Sequence, residues 1–194
     1  MEFHKGQNRW VAVFPKAGVV VKFPIVYLKV VLEALTVDLW RFGWRGFKAN
    51  WDTPMEAYGG FRSWLFKGLA ANWMEFWLYV TTRNPFLQPT YFSLFGLVNV
   101  QRYGTPCPLK YVDVWCQLCE LTNDQVWDDG HHFSNTQNFT FDGGVLRMLD
   151  YGSIKTRKVI RLYGEKIAQQ FDPSYDWDEV CKRKANPSVT DRPE

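Results

Sequence analysis

The chain has 194 residues, 46% of them hydrophobic and 22% charged, with a net charge of +3. That length accommodates one globular domain or a compact two-lobed one, and an aromatic content of 18% excludes disorder over the whole chain. A small charge excess without a dense Lys/Arg cluster argues against nucleic acid as a partner, and the ten tryptophans serve either a core or an interaction surface.

Residues 1–10 mix Glu2, His4, Lys5 and Arg9 and lack the apolar core of a secretory signal. The apolar tract 18–35 is broken by Lys22, Lys29 and Glu33, so no membrane span and no membrane partner are expected. A cytoplasmic location follows as the expectation. Residues 1–4, 9–14 and 18–23 read as an antiparallel strand meander rich in Val and aromatic residues, with a turn at Pro15-Lys-Ala-Gly18. A helical pattern begins at Ile25 and runs toward Trp40, and residues 41–60 read as irregular because Gly43, Gly46, Pro54, Gly59 and Gly60 interrupt them. Residues 61–82 read as a helix that is apolar nearly all round and carries Glu75 inside.

Asn84-Pro85 ends that helix, and two strands hinged at Gly96 follow at 90–95 and 97–102. Residues 109–121 form the next helical pattern and 122–142 a polar loop. A hairpin is expected around Asp142-Gly143-Gly144, then a helix over 153–171 and a tail over the last twenty or so residues. Lys155-Thr-Arg-Lys158 reads as a solvated helix end. Cys116-x-x-Cys119 falls within a helical pattern rather than on a tight turn. A zinc site built from it with Cys107 and His131-His132 is therefore disfavoured, and buried thiols are expected for the cysteines, Cys181 included.

A strand lysine, a helix glutamate, two strands, a helix, a polar loop and a hairpin ending in Asp150-Tyr-Gly152 occur in that order. In this order the chain resembles the protein kinase-like superfamily over roughly residues 1–155. Val19-Val-Val-Lys22 is similar to the strand that carries the phosphate-binding lysine, and Glu75 lies where a helix glutamate would pair with it. Asp150-Tyr-Gly152 resembles the Asp-Phe-Gly metal-binding motif, and Asn138 stands near the position of the metal-binding asparagine. The resemblance implies an α+β, kinase-like fold, with an antiparallel N-terminal sheet, a packed helix and a reduced C-terminal helical lobe. It implies a single domain over 1–185: a sheet-containing lobe at 1–102 with a helical insertion at about 25–60, a helical lobe at 103–185, and a tail at 186–194. It also implies ATP and Mg²⁺ as cofactors, with Gly6, Lys22 and Glu75 on the nucleotide and Asn138 and Asp150 on the metal.

Physical chemistry supports the same grouping. A nucleoside triphosphate needs a divalent metal, oxygen ligands for that metal and a cation for its phosphates. The departures are equally specific. Matching His131 to Asn138 with the family's catalytic loop places Phe133 at the catalytic aspartate, and phenylalanine cannot accept a proton. Asp129, His131 and His132 are the candidate substitutes. The first expectation is therefore a small atypical kinase-like protein that binds nucleotide with weak or absent phosphotransfer. A second is a pseudokinase or scaffold that engages a protein partner, or a second copy of itself, through the aromatic-rich insertion. A third is a nucleic-acid binder using Trp40, Trp44 and Trp51 with Arg41, Arg45 and Lys48.

Overall fold

A computed structural model describes residues 1–55 and 60–185 of this α+β protein. The expected tail at 186–194 lies outside the described residues. The chain divides into two compact units. The first comprises Met1–Arg83, Gln88–Tyr103 and Tyr151–Ser153, and the second comprises Asn84–Leu87, Gly104–Asp150 and the chain from Ile154 onward.

In the first unit β1 (Glu2–Lys5), β2 (Arg9–Phe14), β3 (Val19–Pro24), β4 (Thr90–Leu94) and β5 (Val98–Arg102) form one antiparallel sheet in the order β1-β2-β3-β5-β4. The β-branched and aromatic content of β2 and β3 suits a pleated, half-buried surface. β3 pairs with β5 in a register that sets Lys22 opposite Asn99. The two strand groups expected from the sequence thus join in a single sheet.

Helix α1 (Leu28–Asp52) corrects the expectation that the chain is irregular from residue 41 onward. Gly43 takes φ 59° and ψ −154°, a non-helical conformation that kinks the run into two helical segments, so the break expected at this glycine is present while the residues after it are helical. Beyond the bend Trp44, Phe47 and Trp51 stack in succession, and Phe47 packs against Phe61. Those ring contacts hold residues that their glycines alone would leave irregular. Helix α2 (Phe61–Thr82) has the expected bounds, and its all-round apolar pattern has a cause: it packs against α1 and also against β3 and β4. It stops at Arg83, whose N–H donates to the Tyr79 carbonyl from a left-handed backbone.

The second unit contains α3 (Tyr111–Thr122), the single-turn α4 (Gly130–Phe133), the hairpin of β6 (Phe139–Asp142) and β7 (Val145–Met148), α5 (Ile154–Gln170) and α6 (Trp177–Ala185). Leu118, Val126, Phe133, Phe139, Leu146 and Ile160 are buried. Two sequence expectations are corrected here and one holds. Residues 122–142 are not an open loop, because 3-10 turns at Gln125–Asp129 and Thr136–Asn138 flank α4. The expected tail region holds α6, started by the Asp176 carboxylate, which accepts from the Asp178 and Glu179 N–H groups, and tied down by Trp177 N–H on Asp113 at 3.0 Å. The basic run at 155–158 is the solvated helix end expected, with Lys155 and Lys158 exposed, although Thr156 between them is fully buried.

The cysteines are not buried either. Cys107, Cys116 and Cys119 are half-buried and Cys181 is exposed, all as free thiols. Among the described residues no helix is long and apolar enough to cross a membrane.

Candidate functional site

In the first unit the site begins with strand register. Alternation on β3 turns Lys22 toward the covered face of the sheet, and α2 brings Glu75 to the same place. Lys22 Nζ donates to Glu75 Oε2 at 2.9 Å, with the glutamate wholly buried. Two further residues reach this carboxylate. Arg9 Nη1 donates to Oε1 at 2.5 Å, and Asn99 Nδ2 donates to Oε2 at 3.1 Å. A buried charge is tolerated only when it is paired and hydrogen-bonded, and here both oxygens are engaged.

Asn72, one helical turn before Glu75, connects the cluster to the backbone. Its Nδ2 donates to the Gly96 carbonyl at 2.9 Å, and its Oδ1 accepts from Arg9 Nη1 at 3.4 Å. Sequence reading misses Arg9, Asn72 and Asn99. The available signal for Arg9 is period two on β2: Val11 pairs with Lys22, so Arg9 shares its face. Gly6 lies in the turn between β1 and β2 and donates its N–H to Arg9 O at 2.8 Å. A Cβ at Gly6 would approach that oxygen only to 3.4 Å, so glycine is not sterically required there.

Asp150-Tyr-Gly152 is divided between the units, with Asp150 in the second and Tyr151-Gly152 in the first. Tyr151 is fully buried in the first unit. Its hydroxyl donates to the Gln88 carbonyl at 2.8 Å and lies 2.6 Å from Thr90 Oγ1. Burial, and after it the Glu75 carboxylate, holds this hydroxyl's pKa well above the ordinary tyrosine value.

The second unit gathers the remaining candidates. Asp129 is buried just before α4, and its Oδ2 accepts from Thr156 N–H at 3.0 Å and from the Thr156 hydroxyl. Its Oδ1 lies 2.9 Å from His132 Nδ1 and 3.1 Å from His131 Nδ1. His132 Nε2 is 3.9 Å from Asp150 Oδ1. Phe133 is core, so the position matched to a catalytic base is occupied by packing. Asp129, with both oxygens engaged, orients its neighbours and is poorly suited to abstract a proton itself.

Asn138 Nδ2 donates to the His132 carbonyl at 2.9 Å. Asp150 supplies a carboxylate that is one-third exposed. Both are hard oxygen donors, and that donor set fits Mg²⁺. The pair of imidazoles does not. No protein-family model, curated protein or solved structure matches the chain, so no relative bears on the chemistry of either cluster.

Proposed function

We propose that the protein is an atypical kinase-like nucleotide binder, taking ATP with Mg²⁺ and carrying out phosphotransfer weakly or not at all. The observation that carries this reading is the buried Lys22–Glu75 pair, held between a strand and a helix of the antiparallel-sheet unit. In the proposal Lys22 contributes the cation for the phosphates, Glu75 fixes its ammonium, and Arg9 shares the Glu75 carboxylate. Asn138 and Asp150 would hold Mg²⁺, which when bound neutralises phosphate charge. Proton abstraction contributes only about 10²–10⁴ in rate, so a buried Phe133 at the base position weakens transfer while leaving binding intact. A cytoplasmic setting belongs to the same reading.

The test is thermal and chemical denaturation with ATP and Mg²⁺. Nucleotide at a hundred times its dissociation constant should stabilise the fold by about 2.7 kcal/mol. Asp150→Asn should abolish most of that gain and leave the melting of the unliganded protein unchanged. No stabilisation at any magnesium concentration would overturn the reading.

A second reading has its own observation. Trp40 is 85% exposed and Trp44 70% exposed on α1, beside exposed Arg41, Arg45 and Lys48. Such a face suits a protein partner or a second copy of the chain. Concentration-dependent self-association abolished by Trp40→Ser, without any nucleotide effect, would favour it.

A further inference from the structure

We propose that Asp129, His131 and His132 form a binding site for a zinc-class divalent cation, with Asp129 Oδ1 and the Nδ1 atoms of both histidines as its ligands. The inference stands apart from the nucleotide reading, which uses other donors and another metal.

Convergence is the first argument. Asp129 Oδ1 lies 3.1 Å from His131 Nδ1 and 2.9 Å from His132 Nδ1. All three ligand atoms fall within 4.8 Å of one another, and this is the metal-type cluster found among the described residues. Ligands bound at about 2.0–2.1 Å around one tetrahedral ion stand roughly 3.3 Å apart. The two carboxylate-to-imidazole separations are thus already close to the spacing that the ion requires. The single turn of α4 brings this about: it starts immediately after Asp129, and buried Phe133 anchors its end while the imidazoles lie side by side with ring centroids 3.8 Å apart.

Donor chemistry selects the metal. Two imidazoles and one carboxylate suit zinc and its first-row neighbours, whereas Mg²⁺ and Ca²⁺ prefer oxygen throughout. Three protein ligands also leave a fourth position for water or an anion.

The surrounding groups supply the second argument. Ligating carboxylates and histidines are normally held by outer hydrogen bonds that fix their orientation. Asp129 Oδ2 is held by the Thr156 N–H and hydroxyl, which turns Oδ1 outward. His131 is 74% exposed and Asp129 3% exposed, so the site has a rigid floor and an open mouth.

Co²⁺ titration of the metal-stripped, untagged chain tests the proposal. The expected result is a saturable, one-to-one ligand-field absorption without a thiolate-to-cobalt charge-transfer band, displaced by Zn²⁺. His131→Ala removes an exposed side chain, so it should leave far-UV circular dichroism unchanged while weakening affinity about tenfold or more. Unchanged affinity in His131→Ala would overturn the proposal. So would a thiolate band, which would put the ion on the cysteines. Absence of saturable absorption at every cobalt concentration the protein tolerates would also overturn it.

Discussion

Lys22 on β3 and Glu75 on α2 stand 53 positions apart in the chain, and their Nζ and Oε2 atoms lie 2.9 Å apart in the fold. The pair is asymmetric, because Glu75 serves two cations, Arg9 and Lys22, and either can go without leaving the carboxylate unpaired. Removing the anion takes from two buried cations the carboxylate that both use. Glu75→Ala should therefore cost about 3–5 kcal/mol of stability. Lys22→Met leaves the Arg9–Glu75 pair intact and should cost about 1–3 kcal/mol. Urea denaturation of both variants checks the order, and equal losses would mean that Arg9 does not compensate.

The elements whose residues satisfy their own local rules are legible from sequence. The β2 and β3 runs, the apolar helix at 61–82 and the Asp142-Gly-Gly144 turn each carry propensity, period and turn chemistry that agree. The Lys22–Glu75 pair is legible for a different reason. A lysine in an apolar strand and a glutamate in an apolar helix each need a partner. Gly43 does interrupt the helix, as its type suggests, but residues 44–52 mislead because ring stacking from Trp44 to Trp51 accompanies a helix that Gly46 does not break. Arg9, Asn99 and Thr156 escape a sequence reading because their roles depend on register and on long-range contacts, which local pattern does not encode. Asp129 is a candidate base by sequence position, and the contacts of its two oxygens with Thr156 and the two histidines depend on long-range packing that the local pattern does not encode.

Gly96 sets how closely the β4–β5 turn approaches α2. It sits at φ 80°, and a Cβ there would run into the Leu69 carbonyl oxygen, far inside van der Waals contact. That neighbour is helix backbone and cannot move aside without breaking a turn of α2. The Gly96 carbonyl also accepts from Asn72, which ties the turn to the Glu75 cluster. Gly143 offers a control, since it has φ 60° and a Cβ there would meet nothing within 4 Å. Gly143→Ala should cost about 1–2 kcal/mol, the conformational penalty alone. Gly96→Ala should cost clearly more, read as a larger fall in the urea midpoint at unchanged slope.

Tyr151 occupies the middle of Asp150-Tyr-Gly152 and is fully buried. Its hydroxyl contacts Gln88, Thr90 and Gln101 inside the first unit. Tyr151→Phe keeps the ring volume and removes only those contacts. A buried acceptor and donor set left without its partner costs about 1–3 kcal/mol. The variant should fold and melt lower by the corresponding amount. Unchanged melting would mean that water replaces the hydroxyl without loss.

Cys119 should be the slow thiol of the chain. Burial first, then the Asp124 carboxylate and Cys116, push its pKa up to about 11. The reactive species is the thiolate, so at pH 8 only about one molecule in a thousand is competent to attack an alkylating reagent. Exposed Cys181 should label with iodoacetamide well before Cys119, as read by peptide mass spectrometry. The sign of the pH dependence follows directly. Below its pKa each pH unit raises the thiolate fraction about tenfold, so Cys119 labelling should rise roughly a hundredfold between pH 8 and pH 10. Asp124→Asn removes a negative charge that disfavours the thiolate, which lowers the pKa and accelerates labelling at pH 8. Should Cys119 label as fast as Cys181 at pH 8, its sulfur is not desolvated in solution.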